Sequence, residues 1–187
     1  MEDSELKYWL AFSRIPRIGT VRFRHLERHF DSLGHAWSAG DSELRAAGLD
    51  GGATKPILAR RATIDPEAEL KRLTDNGFRA ITWHDDEYPS RLKEIYDPPP
   101  LLYIHGEPLP EDERSVAVVG TRKATAYGRE SAYQLSHDMA QAGVTIVSGL
   151  ARGVDAIAHR AALEAGHRTI AVLGSVWTSY TPESTPS

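Results

Sequence analysis

The chain has 187 residues, 41% of them hydrophobic, with 22 basic against 26 acidic side chains and a formal charge of -4. That length supports one or two globular domains, and that charge excludes bulk attraction to nucleic acid, so any such binding must come from local basic patches. With no cysteine, disulfides, thiolate nucleophiles and cysteine-ligated metals are excluded; the acidic start and the lack of any apolar run near ~20 residues read as a cytoplasmic protein with no membrane partner.

Residues 4–13 read as a helix, followed by a tight turn at Ile15-Pro16-Arg17-Ile18-Gly19 and a second helix capped by Thr20. Arginines 14, 17, 22, 24 and 28 face a single acid, Glu27, in this stretch. Such a unit is either a helix-hairpin-helix-like element whose turn N–H groups meet a phosphate, or a small structural helical domain with a solvated arginine face. Asp41 or Ser42 is expected to cap a short helix that stops at Gly48, and Asp50-Gly51-Gly52 reads as a flexible joint. The next helix has Asp65 as cap, Pro66 in its first turn, Leu70 and Leu73 on one face, a Glu67–Lys71 pair and Gly77 as terminator. These helices are expected to form a first domain over residues 1–77.

Strands are expected over 78–83 and 101–105, separated by the stiff segment Asp97-Pro98-Pro99-Pro100, and residues 107–114 read as a charged linker. Three apolar runs follow: Val116-Ala117-Val118-Val119, Val144-Thr145-Ile146-Val147 and Thr169-Ile170-Ala171-Val172-Leu173. Helical stretches long enough for crossovers separate them, which predicts parallel strands buried on both faces. The first crossover helix, about 128–142, is expected to bury Ala132, Leu135, Met139 and Ala142. The second, about 154–165, carries the small-residue stripe Val154, Ala158, Ala161 and Ala165. The fold class is α/β: a Rossmann-like parallel sheet, present as a βαβαβ half with lead-in strands over 78–174, after a small helical domain. Residues 175–187, rich in Ser, Thr and Pro, read as a disordered tail.

Each of the first two strands ends in a glycine-bearing turn that opens a helix, where free N–H groups and the dipole favour anions. The first turn carries Gly120, Thr121 and Arg122, then Tyr127 and Gly128. The second carries Ser148, Gly149, Leu150, Ala151, Arg152 and Gly153, with Asp155 and His159 on the helix it feeds. Two arginines in neighbouring loops suit a phosphate backbone. Tyr127 could stack on a base or simply pack. Asp155 and His159 either organise the loop or contact a ligand.

Gly120-Thr121-Arg122 with Tyr127-Gly128, Ser148 to Asp155 with Ala158-His159, and Gly166 to Gly174 resemble the signature blocks of the DNA processing protein A (DprA/Smf) family. Asp86-Glu87-Tyr88-Pro89, Asp97-Pro98-Pro99 and Leu102 to Gly106 resemble its lead-in. The resemblance covers residues 80–174 strongly and the first 75 more loosely. It implies a SAM/helix-hairpin-helix-like first domain, binding of single-stranded DNA through the residues just named, help in loading the RecA recombinase during DNA uptake and recombination, a homodimer in the full-length family, and neither catalysis nor a cofactor. Trp177 and the split Tyr180 and Pro182 depart from the family pattern, and on that comparison the chain reads as a truncated member.

Competing chemistries fit less well. A dinucleotide site needs G-x-G-x-x-G, whereas Gly120 and Gly128 are too far apart. A Ser148–His159–Asp155 triad lacks the G-x-S-x-G elbow. The eight histidines show no metal-ligand spacing. A phosphoribohydrolase of the lysine-decarboxylase-like type would carry a Pro-Gly-Gly-x-Gly-Thr loop, which is absent from this sequence; it stays, with a non-functional fragment, as the alternative reading.

Overall fold

Aromatic side chains organise the first part of the chain. In the computed structural model, which describes residues 3–174, α1 (Asp3–Ser13) buries Trp9, Leu10 and Phe12. Trp9 stacks on Phe23 of α2 (Thr20–His29) at 5.2 Å, and Phe12 meets Trp37 of α3 (Leu33–Ser38) edge-on at 5.0 Å. The helices α4 (Asp41–Ala46), α5 (Gly51–Arg61) and α6 (Pro66–Asp75) add Leu44, Ile57 and Leu73 to that core. Strand β1 (Arg79–Thr82), the short α7 (Ser90–Lys93) and β2 (Leu101–Ile104) complete the first of two compact units, which runs through Glu107.

The division after Glu107 falls later than the boundary expected at residue 77. The two strands pair antiparallel, Arg79 opposite Ile104 and Thr82 opposite Leu101, and are tied to the helices. The Tyr103 and Ser13 hydroxyls lie 2.8 Å apart, and buried Thr20 donates to the Pro98 carbonyl at 2.8 Å. The proline segment is thus an acceptor platform as well as a spacer, since Tyr88 donates to Pro99 at 2.7 Å.

Several local expectations need correction. Thr20 is not a cap: Gly19 precedes the helix and the Thr20 hydroxyl turns inward to Pro98. Gly40, not Asp41 or Ser42, caps α4, and the Glu43 carboxylate accepts its N–H at 2.7 Å. Asp50-Gly51-Gly52 is no joint: Asp50 accepts the Ala53 N–H at 3.0 Å and starts α5, whose burial of Ala53, Thr54 and Ile57 outweighs the poor helix propensity of two glycines. Glu67 pairs with Lys7, and Lys71 with Asp75 at 2.7 Å, because tertiary packing brings a better cation to Glu67. Asp65, Pro66 and Gly77 act as expected, Gly77 with φ 71°.

The second unit starts at Pro108. A 3-10 turn (Pro110–Glu113) leads to β3 (Ser115–Ala117), α8 (Ala126–Gln141), β4 (Thr145–Ser148), α9 (Val154–Glu164) and β5 (Thr169–Ala171). The strands are parallel in the order β3-β4-β5, with Val116 beside Ile146 and Val147 beside Ile170. This is the expected βαβαβ unit. Its core is small: Ala140, Ile146, Ala158 and Ala162, flanked by Val116, Val118, Met139 and Ala165.

The central β4 is buried at Thr145, Ile146 and Ser148, but the edge strands β3 and β5 are not buried on both faces. Val116, Val118 and Ile146 meet the helices, and alternation turns Ala117 and Val119 away from them. Val119 is 76% exposed. The stripe on α8 is also rotated from expectation. Ser136 and Ala140 are buried while Leu135 is 62% exposed, because the inward phase belongs to small side chains that let α8 approach α9 and the sheet. The segment 107–114 is more than a linker, since the Asp112 carboxylate accepts from Arg168 Nε at 2.6 Å and Nη2 at 3.0 Å and from the Thr145 hydroxyl. The tail expected over 175–187 lies outside the described residues. Among the described residues no helix is long and apolar enough to cross a membrane.

Candidate nucleic-acid interface

Parallel pairing of β3 with β4 puts the two glycine turns side by side at the carboxyl ends of their strands. They are bonded to one another. The Thr121 carbonyl accepts the Val154 N–H at 3.2 Å. A Cβ on Gly153 would lie 2.3 Å from that same carbonyl oxygen, and one on Gly120 would lie 2.7 Å from a Val154 methyl. Gly153 also sits at φ 88°, a backbone region that only glycine enters without strain. The two glycines therefore let two loops share one seam.

Arg122 and Arg152, one from each loop, are exposed, as is Thr121, whose hydroxyl oxygen accepts the Lys123 N–H at 3.1 Å. The Arg122 guanidinium has no ion pair among the described residues. Tyr127, in the first turn of α8, is 82% exposed. Its ring is a surface feature, not core packing. Gly128 has a different role from a ligand donor: its N–H goes to the Thr125 hydroxyl at 3.1 Å, the N-cap of α8. The helix therefore starts at Ala126, two residues before the start expected near residue 128, because Thr125 and not the glycine opens it.

Ser148 is buried and donates to the Val118 carbonyl at 2.6 Å, tying β4 to the end of β3. Leu150 holds φ 59° and stays partly exposed at the loop apex. Strain in a non-glycine residue there persists only where the surroundings hold it. Asp155 supplies the hold: it is buried, its Oδ2 accepts the Ala151 N–H at 3.4 Å, and the same oxygen would lie 3.0 Å from a Cβ on Gly149.

His159, one turn along α9, is buried and reaches the Thr169 hydroxyl through Nδ1 at 2.7 Å. That hydroxyl gives its own proton to the Ile146 carbonyl at 2.7 Å. It can only accept from His159, so the imidazole carries its proton on Nδ1 and Nε2 is a bare acceptor, buried without a partner among the described residues. Burial lowers the pKa of His159 and nearby Asp155 opposes part of that shift. Ser148, Asp155 and His159 thus each bond elsewhere, to Val118, Ala151 and Thr169, and form no triad. Among the described residues no group of three His, Asp or Glu side chains is placed to hold a metal ion.

A cavity of about 800 Å³ lies in the first unit, lined by Leu6, Leu73, Asp75, Arg79, Asp86 and Glu87 among others. Its acidic rim opposes phosphate, so size does not make it the anion site.

The model of the DNA recombination-mediator protein A family matches residues 79–187, more than half of the chain. The chain belongs to that family. Protein Smf of Synechocystis is 36% identical over 180 residues, which cover 94% of this chain and 45% of that protein. The DNA processing protein DprA of Bacillus subtilis is 40% identical over 105 residues, 56% of this chain and 35% of that one. The crystal structure of DNA processing protein A from Streptococcus pneumoniae superposes with a TM-score of 0.70 at 28% identity, covering 98% of this chain and 61% of that chain. The chain spans a little under half the length of the Synechocystis relative. Within this DNA recombination-mediator family member, the match includes both glycine turns and the helices they feed.

Proposed function

We propose that this chain binds single-stranded DNA through the joined loops 120–122 and 148–153, acting in DNA uptake and recombination. One observation carries the reading: two exposed guanidiniums stand on two loops that a backbone hydrogen bond and a close-packed glycine hold together. Bidentate guanidiniums suit phosphates, and a backbone contact carries no base sequence, so the binding is expected to be sequence-tolerant, with Tyr127 available to stack on a base. The names of the relatives, DNA processing proteins, support the same reading. Nothing in it requires a chemical step. Help in loading RecA, homodimerisation and a cytoplasmic setting belong to the proposal on the strength of the family alone.

Fluorescence titration with labelled oligonucleotides, alongside a panel of nucleoside phosphates, tests it. Affinity should grow with oligonucleotide length, and Arg122→Ala should weaken binding and reduce the slope of log K against log salt by about 0.7 for the lost contact. Tight binding of a mononucleotide with turnover would instead favour a phosphoribohydrolase, and an unchanged salt series would remove Arg122 from the site.

A further inference from the structure

The basic stretch from Arg14 to His29 is not accounted for by the two loops, and the fold sorts four of its five arginines into two groups. Arg14 lies 3.6 Å from Glu69, and Arg22 reaches Asp50 at 3.3 Å and the Arg17 carbonyl at 2.6 Å. Those two bind elements of the first unit together. Arg24 and Arg28 are exposed on α2. They are four residues apart and so neighbours on the helix surface, about 6 Å along its axis. Arg24 lays its guanidinium over the Trp83 ring, 5.5 Å from the centroid, which holds the group without neutralising it. Arg28 has no ion pair among the described residues. The single acid of the stretch, Glu27, is turned to His84 Nε2 at 2.6 Å.

Two like charges at this spacing repel each other. The helix dipole explains a cation in the last turn, where Arg28 stands, but not Arg24. Glu27 is engaged by His84 and neither arginine has an ion pair among the described residues, so in a chain of net charge -4 the pair is a local basic patch that suits the closely spaced charges of a polyanion. We propose that the outward face of α2, Arg24 and Arg28 beside Trp83, is a second contact for the phosphate backbone of nucleic acid, separate from the joined loops. The inference rests on the reading of single-stranded DNA as the ligand.

The test uses the full chain and a labelled oligothymidylate, titrated across a salt series by anisotropy. Arg24→Gln with Arg28→Gln should lower the slope of log K against log salt by about 1.4, that is ~0.7 for each contact, and cost roughly tenfold in affinity at 0.1 M salt. Arg24→Lys with Arg28→Lys should restore most of the slope, because the charge remains. If the unaltered protein binds and Arg122→Ala weakens it while the glutamine pair leaves the slope unchanged, the second contact is wrong and the loop site stands. If the unaltered protein binds no oligonucleotide, the DNA reading itself fails. Binding to anionic lipid vesicles that depends on the pair, with the DNA slope unmoved, would also overturn the proposal.

Discussion

Gly153 carries the junction between the loops in two ways, by its left-handed backbone and by its missing Cβ. The atom that a Cβ would strike is the Thr121 carbonyl oxygen, part of the other loop's backbone, so no rotamer change relieves the clash. Gly153→Ala should cost about 1–3 kcal/mol from backbone strain, with the clash added to it. Gly166→Ala, at φ 74° with open space around it, should lose only the conformational part. Urea unfolding of the two variants measures the difference, and equal losses would show that the seam tolerates a side chain. His159 makes the second prediction at this scale. Its pKa is lowered in the folded protein from the ordinary 6.5, so below that pH the unfolded chain takes up a proton that the native state refuses. Its contribution is therefore complete above pH 6.5 and lost as pH falls from there through the lower folded value. His159→Gln should be most destabilising near pH 8 and progressively less so toward pH 5, as read by denaturant melts; a penalty independent of pH would show that the imidazole is not buried neutral.

At the scale of elements, β5 enters the sheet through an ion pair. Arg168, just before the strand, grips Asp112 from the 3-10 turn before β3, and Asp112 also accepts from Leu109 N–H and Thr145. Burial raises the Asp112 pKa, but Arg168 and the N–H donor outweigh it, so the carboxyl titrates below its usual 3.8. The stability this gives is present above 3.8 and is lost as pH falls through the depressed folded value. Asp112→Asn should cost about 1–3 kcal/mol at neutral pH, and its gap from the unaltered protein should close in acid. A pH-independent gap would mean that the amide fails sterically and not through charge. Elements with strong punctuation were legible beforehand: α6 from Asp65, Pro66 and Gly77, and β4 from its β-branched run. The helix α5 was not, because Gly51 and Gly52 look like a break until the burial of Ile57 is known. Similarly, the phase of α8 is not legible from hydrophobicity, which favours Leu135, whereas close packing favours Ser136 and Ala140.

For the whole molecule, the second unit has a sheet of three strands, with β3 and β5 at its edges among the described residues and one face only partly covered. Paired edges and covered faces are what keep parallel sheets monomeric. A chain of these 187 residues is expected to self-associate with rising concentration, and sedimentation velocity should show a mass that grows over the micromolar range. A monodisperse monomer with one sharp cooperative melt would contradict that.

Residue order alone determined the βαβαβ unit, the two glycine turns and the arginines on them, because strand periodicity, helix punctuation and left-handed glycines are local properties of the backbone. It could not determine which polar groups remain available for a ligand. Ser148 reads as a loop hydroxyl open to a ligand and Thr20 as a helix cap, yet both are bonded inward, whereas Arg24 and Arg28 read as two among five arginines and stand apart. Those outcomes depend on which backbone carbonyl or carboxylate arrives from a distant part of the chain, as Val118, Pro98, Glu69 and Asp50 do, and only the folded arrangement brings them there.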